Sequence, residues 1–531
     1  MSLTRARLVA ASGFGRVPVG PIVIGLGLFG LLVAFIGADP PSHVTFSSSP
    51  FTDEAFNTVN ARNLVQLGNW TTDEWNLHLV NLPFSLLEAL VFRLGGVGSV
   101  QARLPAIACV ALTAGALAWG LRTVTGRAAA LLAGLAFAAS GLVLVYGRLA
   151  YVEDLVVLAI TIGTLVIVTD RRLTLRWGLL SGACYAVAIG AKPSAAVAAT
   201  GIVLALDLVW SQHERAVQRW ILGVVTAVVF AGLAWVVVIW LPNRDAVAMD
   251  LRIWEQIRFS LAPADAIHSI WRYVVSENDH LYGPLLGPLL FLGAASVPAI
   301  AALRGRLNGA EARLVVACLG WLILGFGVLL IASYRPNRYV VPLVPPLAIL
   351  TAIATHRIGE WLTERFRAPA APSTVEREAE DPDLPGGDPA AHLRPRGPWG
   401  ARRLVAPAFV VLVTVVAVTP GLVWYASWAS NATYELPRIQ DRLASVVPEG
   451  ERVAGRESAL YLMKSKAVTL ITQPGGGAAN NGDLYAGGVR WYVLPTDDPA
   501  PVGVSAAVWS ARERIFCAEY GNLNECLFHV R

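Results

Sequence analysis

The feature that most constrains this chain is a series of apolar runs, each about 20 residues long, recurring through most of its length with short arginine-bearing interruptions. Each run is long enough to cross a hydrocarbon layer of roughly 30 Å. Backbone N–H and C=O groups find no water in lipid, so such runs must be helices that satisfy their own hydrogen bonds. Composition agrees: the 531 residues are 55% hydrophobic and 15% charged, more apolar surface than one water-soluble core can hide. Spans are expected near Gly20 to Gly37, Leu104 to Leu121, Ala128 to Tyr146, Leu155 to Val168, Trp177 to Gly190, Ser194 to Trp210, Trp220 to Leu241, Pro284 to Ala302, Leu314 to Ser333, Tyr339 to Thr355 and Leu404 to Tyr425. The chain thus reads as an all-α polytopic membrane protein of about 11 transmembrane helices. Arg5, Arg7 and Arg16 precede the first run, but no convincing small-residue cleavage site follows it, so it reads as a retained helix.

Loops that stay in the cytoplasm carry the excess of Lys and Arg. With the N-terminus inside, the inward loops hold Arg122 and Arg127, then Arg171, Arg172 and Arg176, then Arg215 and Arg219, then Arg304, Arg306 and Arg313. The same alternation sends residues 38–103, the turn around Arg148 to Asp154, residues 242–283 and everything after Tyr425 outside. Residues 1–356 form the membrane core, 357–403 a Pro/Gly/Glu/Arg-rich flexible cytoplasmic loop, 404–425 the last transmembrane helix and 426–531 a small external α/β domain. The net charge of +5 is accounted for by the inward loops and calls for no nucleic acid. Of five cysteines, Cys109, Cys184 and Cys318 lie in helices as small apolar packing residues. Cys517 and Cys526 fall in the external tail, where an oxidising compartment favours a disulfide; two free thiols are the other reading.

Chemistry gathers at outward helix ends. Asp53 and Glu54 lie beyond the first span, and Glu153 and Asp154 sit in the outward turn YGRLAYVED. Carboxylates there can take a proton from a hydroxyl or hold a divalent cation such as Mg or Mn, for which Asp53, Glu153 and Asp154 are the candidate ligands. Both pairs also read as helix caps. Arg148 can hold a phosphate bidentately, or pair with neighbouring acids, or snorkel to headgroups.

These residues resemble the GT-C class of polyprenyl-phosphate-sugar-dependent glycosyltransferases, in particular the protein mannosyltransferase and lipid A aminoarabinose transferase branch. The stretch DEAFNTVNARNLVQLGNW looks like that family's external motif, and NLPFSLLEALVFRLGGVGSVQARLP is similar to its re-entrant helices ending in Arg103, Leu104 and Pro105. The resemblance, which covers roughly the first 350 residues, implies a GT-C-like fold. It also implies that Asp53 is the catalytic base and that transfer inverts the anomeric carbon. Two departures stand out. Asn81-Leu82-Pro83 replaces a Lys-Pro-Pro whose lysine would touch the donor phosphate, leaving His78 as a substitute, and Glu153 stands where the family usually has Asp.

Ala191-Lys192-Pro193 and Tyr334-Arg-Pro-Asn-Arg-Tyr339 are also similar to the family. They put Lys192, Arg335 and Arg338 where phosphate would leave, although basic residues at helix ends also anchor to anionic lipid. The expected partners are a polyprenyl-phosphate-linked sugar, membrane lipids and an acceptor that is a protein, lipid or glycan. No nucleic acid is expected, and no cofactor beyond the divalent cation. Trp254, Trp271, Tyr273 and Tyr282 read as a lid or acceptor surface, or as interfacial aromatics. The competing classes are a lipid-linked glycan ligase or polymerase and a transporter or flippase, but the spans lack the mid-membrane charges a transporter usually keeps. The site of action is then the outer face of the cytoplasmic membrane, and the Ala, Val, Arg and Gly bias points to a GC-rich bacterium.

Overall fold

The computed structural model describes residues 19–40, 52–70, 81–169, 173–210, 214–245, 247–248, 262–270, 286–305, 307, 309–332, 337–365, 405–455, 458–471, 484–496, 500–501, 503–520 and 523–531. The apolar runs are helices: α1 (Val19–Ala34), α4 (Ser99–Gly120), α5 (Arg122–Ala138), α6 (Gly141–Tyr146), α7 (Glu153–Thr169), α8 (Leu175–Ala191), α9 (Ala195–Trp210), α10 (Arg215–Trp235), α12 (Leu286–Leu303), α13 (Gly309–Ile331), α14 (Val344–Arg365) and α15 (Val405–Ala429). A π-helical turn, Val236–Trp240, extends α10, and a 3-10 turn, Asn337–Leu343, leads into α14. Counting these extensions, five described helices are long and apolar enough to cross a membrane: Ser99–Gly120, Arg215–Trp240, Gly309–Ile331, Asn337–Arg365 and Val405–Ala429. Phe230 (74% exposed) and Val423 (62%) point outward from two of them, which suits lipid and not water. The chain is a multi-pass membrane protein.

One expected span differs. The run Ala128 to Tyr146 is not a single helix: α5 ends at Ala138, Ala139 and Ser140 break it, and α6 is a separate piece of six residues. Ser140 is extended at φ −60° and ψ 127°, and Gly421 of α15 would drive a Cβ into the Ala139 carbonyl, so the break makes room for a close helix approach.

Small residues set the packing. Gly201 of α9 faces Gly320 of α13 so closely that a Cβ on either would collide with the other's carbonyl oxygen, and Gly178 and Gly182 of α8 do the same against α10. Without a hydrophobic drive between helices in lipid, such close backbone approach supplies the attraction.

Two helices lie on the segment between α1 and α4: the largely buried α2 (Thr52–Leu67) and the amphipathic α3 (Leu82–Gly95). Gly68, at φ 74°, turns the chain after α2 as few other residues could. Helix α3 buries Phe84, Ser85, Glu88 and Phe92, while Leu86, Leu90 and Leu94 form an exposed apolar stripe at helical spacing. A short helix, α11 (Pro263–Ile270), belongs to the segment between α10 and α12.

After α15 come α16 (Glu435–Val446), β1 (Arg452–Ala454), α17 (Ser458–Tyr461), β2 (Val468–Leu470), β3 (Trp491–Pro495), α18 (Ala506–Ser510), β4 (Glu513–Tyr520) and β5 (Leu523–His529). The strands form one sheet in the order β2-β1-β3-β5-β4, parallel at β1 with β2 and β3, and antiparallel at β3/β5 and β4/β5. Cys517 and Cys526 stand opposite each other in the β4/β5 register and form a disulfide, while Cys109, Cys184 and Cys318 are free thiols.

Candidate active site

Two polar clusters meet at the end of the helix bundle that carries the C-terminal domain. The first is built on α2. Glu54, 1% exposed in its first turn, receives Arg103 bidentately, Nε to Oε1 and Nη2 to Oε2, both at 2.8 Å. Oε1 also accepts the backbone N–H of Ala150 at 3.0 Å, and Arg103 Nη1 donates to the carbonyls of Ile36 (2.7 Å) and Ala38 (2.9 Å). Asn57 Nδ2 reaches the Ala150 carbonyl at 3.0 Å. Every charge-bearing atom of this pair has its hydrogen bonds, the condition under which a buried ion pair is tolerated.

Arg148 belongs to the same staple. Expected at the lipid interface, it is instead buried. Its Nη1 donates to the Phe35 carbonyl at 3.0 Å and to that of Ala38, its Nη2 donates to Asp39 O at 3.2 Å, and its guanidinium lies 4.3 Å from the Trp428 ring centroid. With those donors engaged by carbonyls just past α1, we do not assign Arg148 to a phosphate.

The second cluster surrounds Glu153 at the start of α7. Lys192, just past α8, donates to Glu153 Oε1 at 2.5 Å, and Arg338 Nε stands 3.4 Å from the same oxygen. Tyr339 lies beneath both cations, 4.1 Å from Lys192 Nζ and 5.1 Å from the Arg338 guanidinium carbon, measured to its ring centroid. Glu153, Lys192 and Tyr339 form the polar end of a cavity of about 360 Å³ that continues between α7, α9 and α13, past Val156, Ile160, Ala198, Trp321 and Leu329. One end is charged and the rest is hydrocarbon. A cavity so shaped fits an amphiphile with an anionic head.

Asp154 is fully buried one residue on, and neither of its carboxylate oxygens has a hydrogen-bond partner among the described residues. Glu88 of α3 is in the same condition. Burial, and then the charge of Glu54, push the Glu88 carboxyl well above its ordinary range.

The structure therefore brings Glu153, Lys192 and Arg338 together and sets Glu54 into a scaffold. The backbone of Asp53 lies in the first turn of α2, but its side chain is outside the described residues, as are His78, Arg335, Trp254, Trp271, Tyr273 and Tyr282. Among the described residues no group of three or more His, Cys, Asp or Glu could hold a metal ion. Sequence reasoning missed the Glu54–Arg103 clamp, the buried Glu88 and the Tyr339 platform. The clamp and the platform left signals, since the Arg103-Leu104-Pro105 run and the motif ending in Tyr339 were singled out without these partners.

A family model described as dolichyl-phosphate-mannose-protein mannosyltransferase matches residues 83–240. No curated protein matches the chain. Among solved structures, it is similar to ArnT from Cupriavidus metallidurans bound to undecaprenyl phosphate, at 14% identity and TM-score 0.62 over 98% of each chain. The apo state of that protein matches at 14% identity and TM-score 0.63, over 96% of this chain and 98% of the other. These likenesses establish a GT-C-like fold, and the resemblance to GT-C transferases read from the sequence holds in the matched segment and in the fold.

Proposed function

We propose that this protein is a GT-C-type membrane glycosyltransferase that moves a sugar from a polyprenyl-phosphate donor to an acceptor at the outer face of the cytoplasmic membrane. The observation that carries the reading is the cavity whose apolar length ends at Lys192, Tyr339 and Glu153. An undecaprenyl phosphate is the ligand of the similar ArnT. The isoprenoid tail would occupy the apolar part, and the phosphate would exchange places with Glu153 on Lys192 and Arg338.

In the reaction, Asp53 takes the proton from an acceptor hydroxyl or amine, whose lone pair attacks the anomeric carbon. The bond from that carbon to the phosphate oxygen breaks with its electron pair. Lys192 and Arg338 stabilise the negative charge that develops on the departing lipid phosphate, which is where fixed cations accelerate most. A single displacement inverts the anomeric centre. Asp154, next to Glu153 in sequence, is the remaining candidate to orient the acceptor. In this reading the chain has about 11 spans, its N-terminus inside and its C-terminal domain outside, with residues 38–103 and 242–283 forming the external loops of the core.

The test is product analysis. Purified protein given a polyprenyl-phosphate sugar and a detergent extract of envelope acceptors should release polyprenyl phosphate in step with glycosylated acceptor of inverted configuration. Release of free sugar only, or of lipid diphosphate, would contradict the reading.

A further inference from the structure

We infer that Arg62 is a positioning residue: through it the C-terminal domain holds α2, and with α2 the turn that carries Asp53 and Glu54, in place for transfer. The inference rests on the glycosyltransferase reading for its catalytic half and on geometry for the rest.

Arg62 lies on α2 about two and a half turns beyond Asp53 and is fully buried. Its Nη2 donates to the carbonyls of Leu462 (3.2 Å), Ser465 (2.5 Å) and Ala467 (2.8 Å), and its Nε to that of Met463 (3.3 Å). Gln66, one turn further, donates its Nε2 to the Met463 carbonyl at 3.2 Å. These carbonyls follow α17, so the guanidinium acts as a C-terminal cap supplied from 400 residues away. A second anchor runs the other way. Asp39 Oδ2 accepts the Glu435 N–H at 2.7 Å and Oδ1 the Leu436 N–H at 3.0 Å, and the Thr433 hydroxyl donates to Oδ2 at 2.7 Å, capping α16 from outside. Both anchors lie on the segment between α1 and α4.

Helix α2 packs Ala55, Val59 and Ala61 into a core shared with α16 and α17, but it also buries Glu54, Asn57, Asn60, Arg62 and Asn63, so its seat depends on polar groups finding partners as well as on apolar contact. Its N-terminal half is tied to the membrane core through Arg103 and Ala150, and its C-terminal half to the external domain through Arg62 and Gln66. The helix is a strut between two bodies. Loosening the outer end frees the inner turn to shift, and misplacing a base by an ångström costs rate without abolishing donor binding at Lys192 and Arg338.

The experiment uses the full-length protein with Arg62→Lys, which keeps the charge but loses the fork, and Arg62→Gln. Hydrogen exchange over residues 52–67 is read alongside kcat and donor KM. The expected result is at least tenfold faster exchange of α2 in Arg62→Gln and a smaller rise in Arg62→Lys. Alongside it, kcat should fall about tenfold or more with donor KM unchanged. Unchanged α2 exchange in Arg62→Gln would overturn the inference, as would full kcat despite faster exchange, or a loss shared equally by kcat and KM. If wild-type protein transferred no sugar, the enzymatic reading would fail separately, and α2 exchange would still decide whether the domain holds the helix.

Discussion

The two polar clusters differ in how completely they are satisfied, and the difference separates scaffold from binding surface. At Glu54 and Arg103 two side chains meet in a fork, and backbone groups take up the lone pairs and protons left over. At Glu153 one carboxylate oxygen is shared by two cations at unequal distances, beside a cavity, and Asp154, next in sequence, has no hydrogen-bond partner among the described residues. The first arrangement has nothing left to offer a ligand. The second keeps two cations on one carboxylate oxygen beside a cavity.

Breaking the first cluster should have the largest effect. Arg103→Ala leaves Glu54 buried without its counter-charge, a loss of about 3–5 kcal/mol. Poor yield and a much lower Tm are expected, and near-normal stability would mean the clamp is no scaffold. Lys192→Ala should cost less stability, because Arg338 still faces Glu153, but should slow transfer about 100-fold, the scale of removing one group that stabilises developing charge. Equal losses of stability and activity in the two variants would erase the distinction.

Glu88 sharpens the comparison at smaller scale. Its carboxyl is raised above the ordinary 4.5 in the folded protein, so the folded state holds its proton more tightly than the unfolded state does. Its stabilising contribution is present at low pH and is lost as pH climbs from the ordinary carboxylate range through the raised value. Thermal unfolding across that range should show wild type weakening with pH and Glu88→Gln weakening less; parallel curves would assign the slope to other groups.

Much of this was legible in the sequence because lipid imposes a simple rule. Runs such as Leu155 to Val168 and Trp177 to Gly190 became α7 and α8 with ends shifted by a few residues. The break at Ala139 and Ser140 was not legible, since Ala-rich sequence continues through it and the residue packed against it, Gly421 of α15, lies far along the chain. Glu153, Lys192 and Arg338 could be nominated separately from their outward helix ends, but nothing in one dimension says that they share an oxygen. Arg148 and Arg62 show the limit most clearly. Read locally each is an interfacial or helix-surface arginine, yet the partners that bury them are carbonyls 109–113 and 400–405 residues distant.

The most direct test of the central claim is sugar transfer from a labelled polyprenyl-phosphate donor in right-side-out and inverted membrane vesicles, comparing wild type with Asp53→Asn at matched expression. The account predicts transfer on the outer face by wild type and its loss in Asp53→Asn with the fold retained. Undiminished transfer by Asp53→Asn, or transfer confined to the inner face, would contradict it.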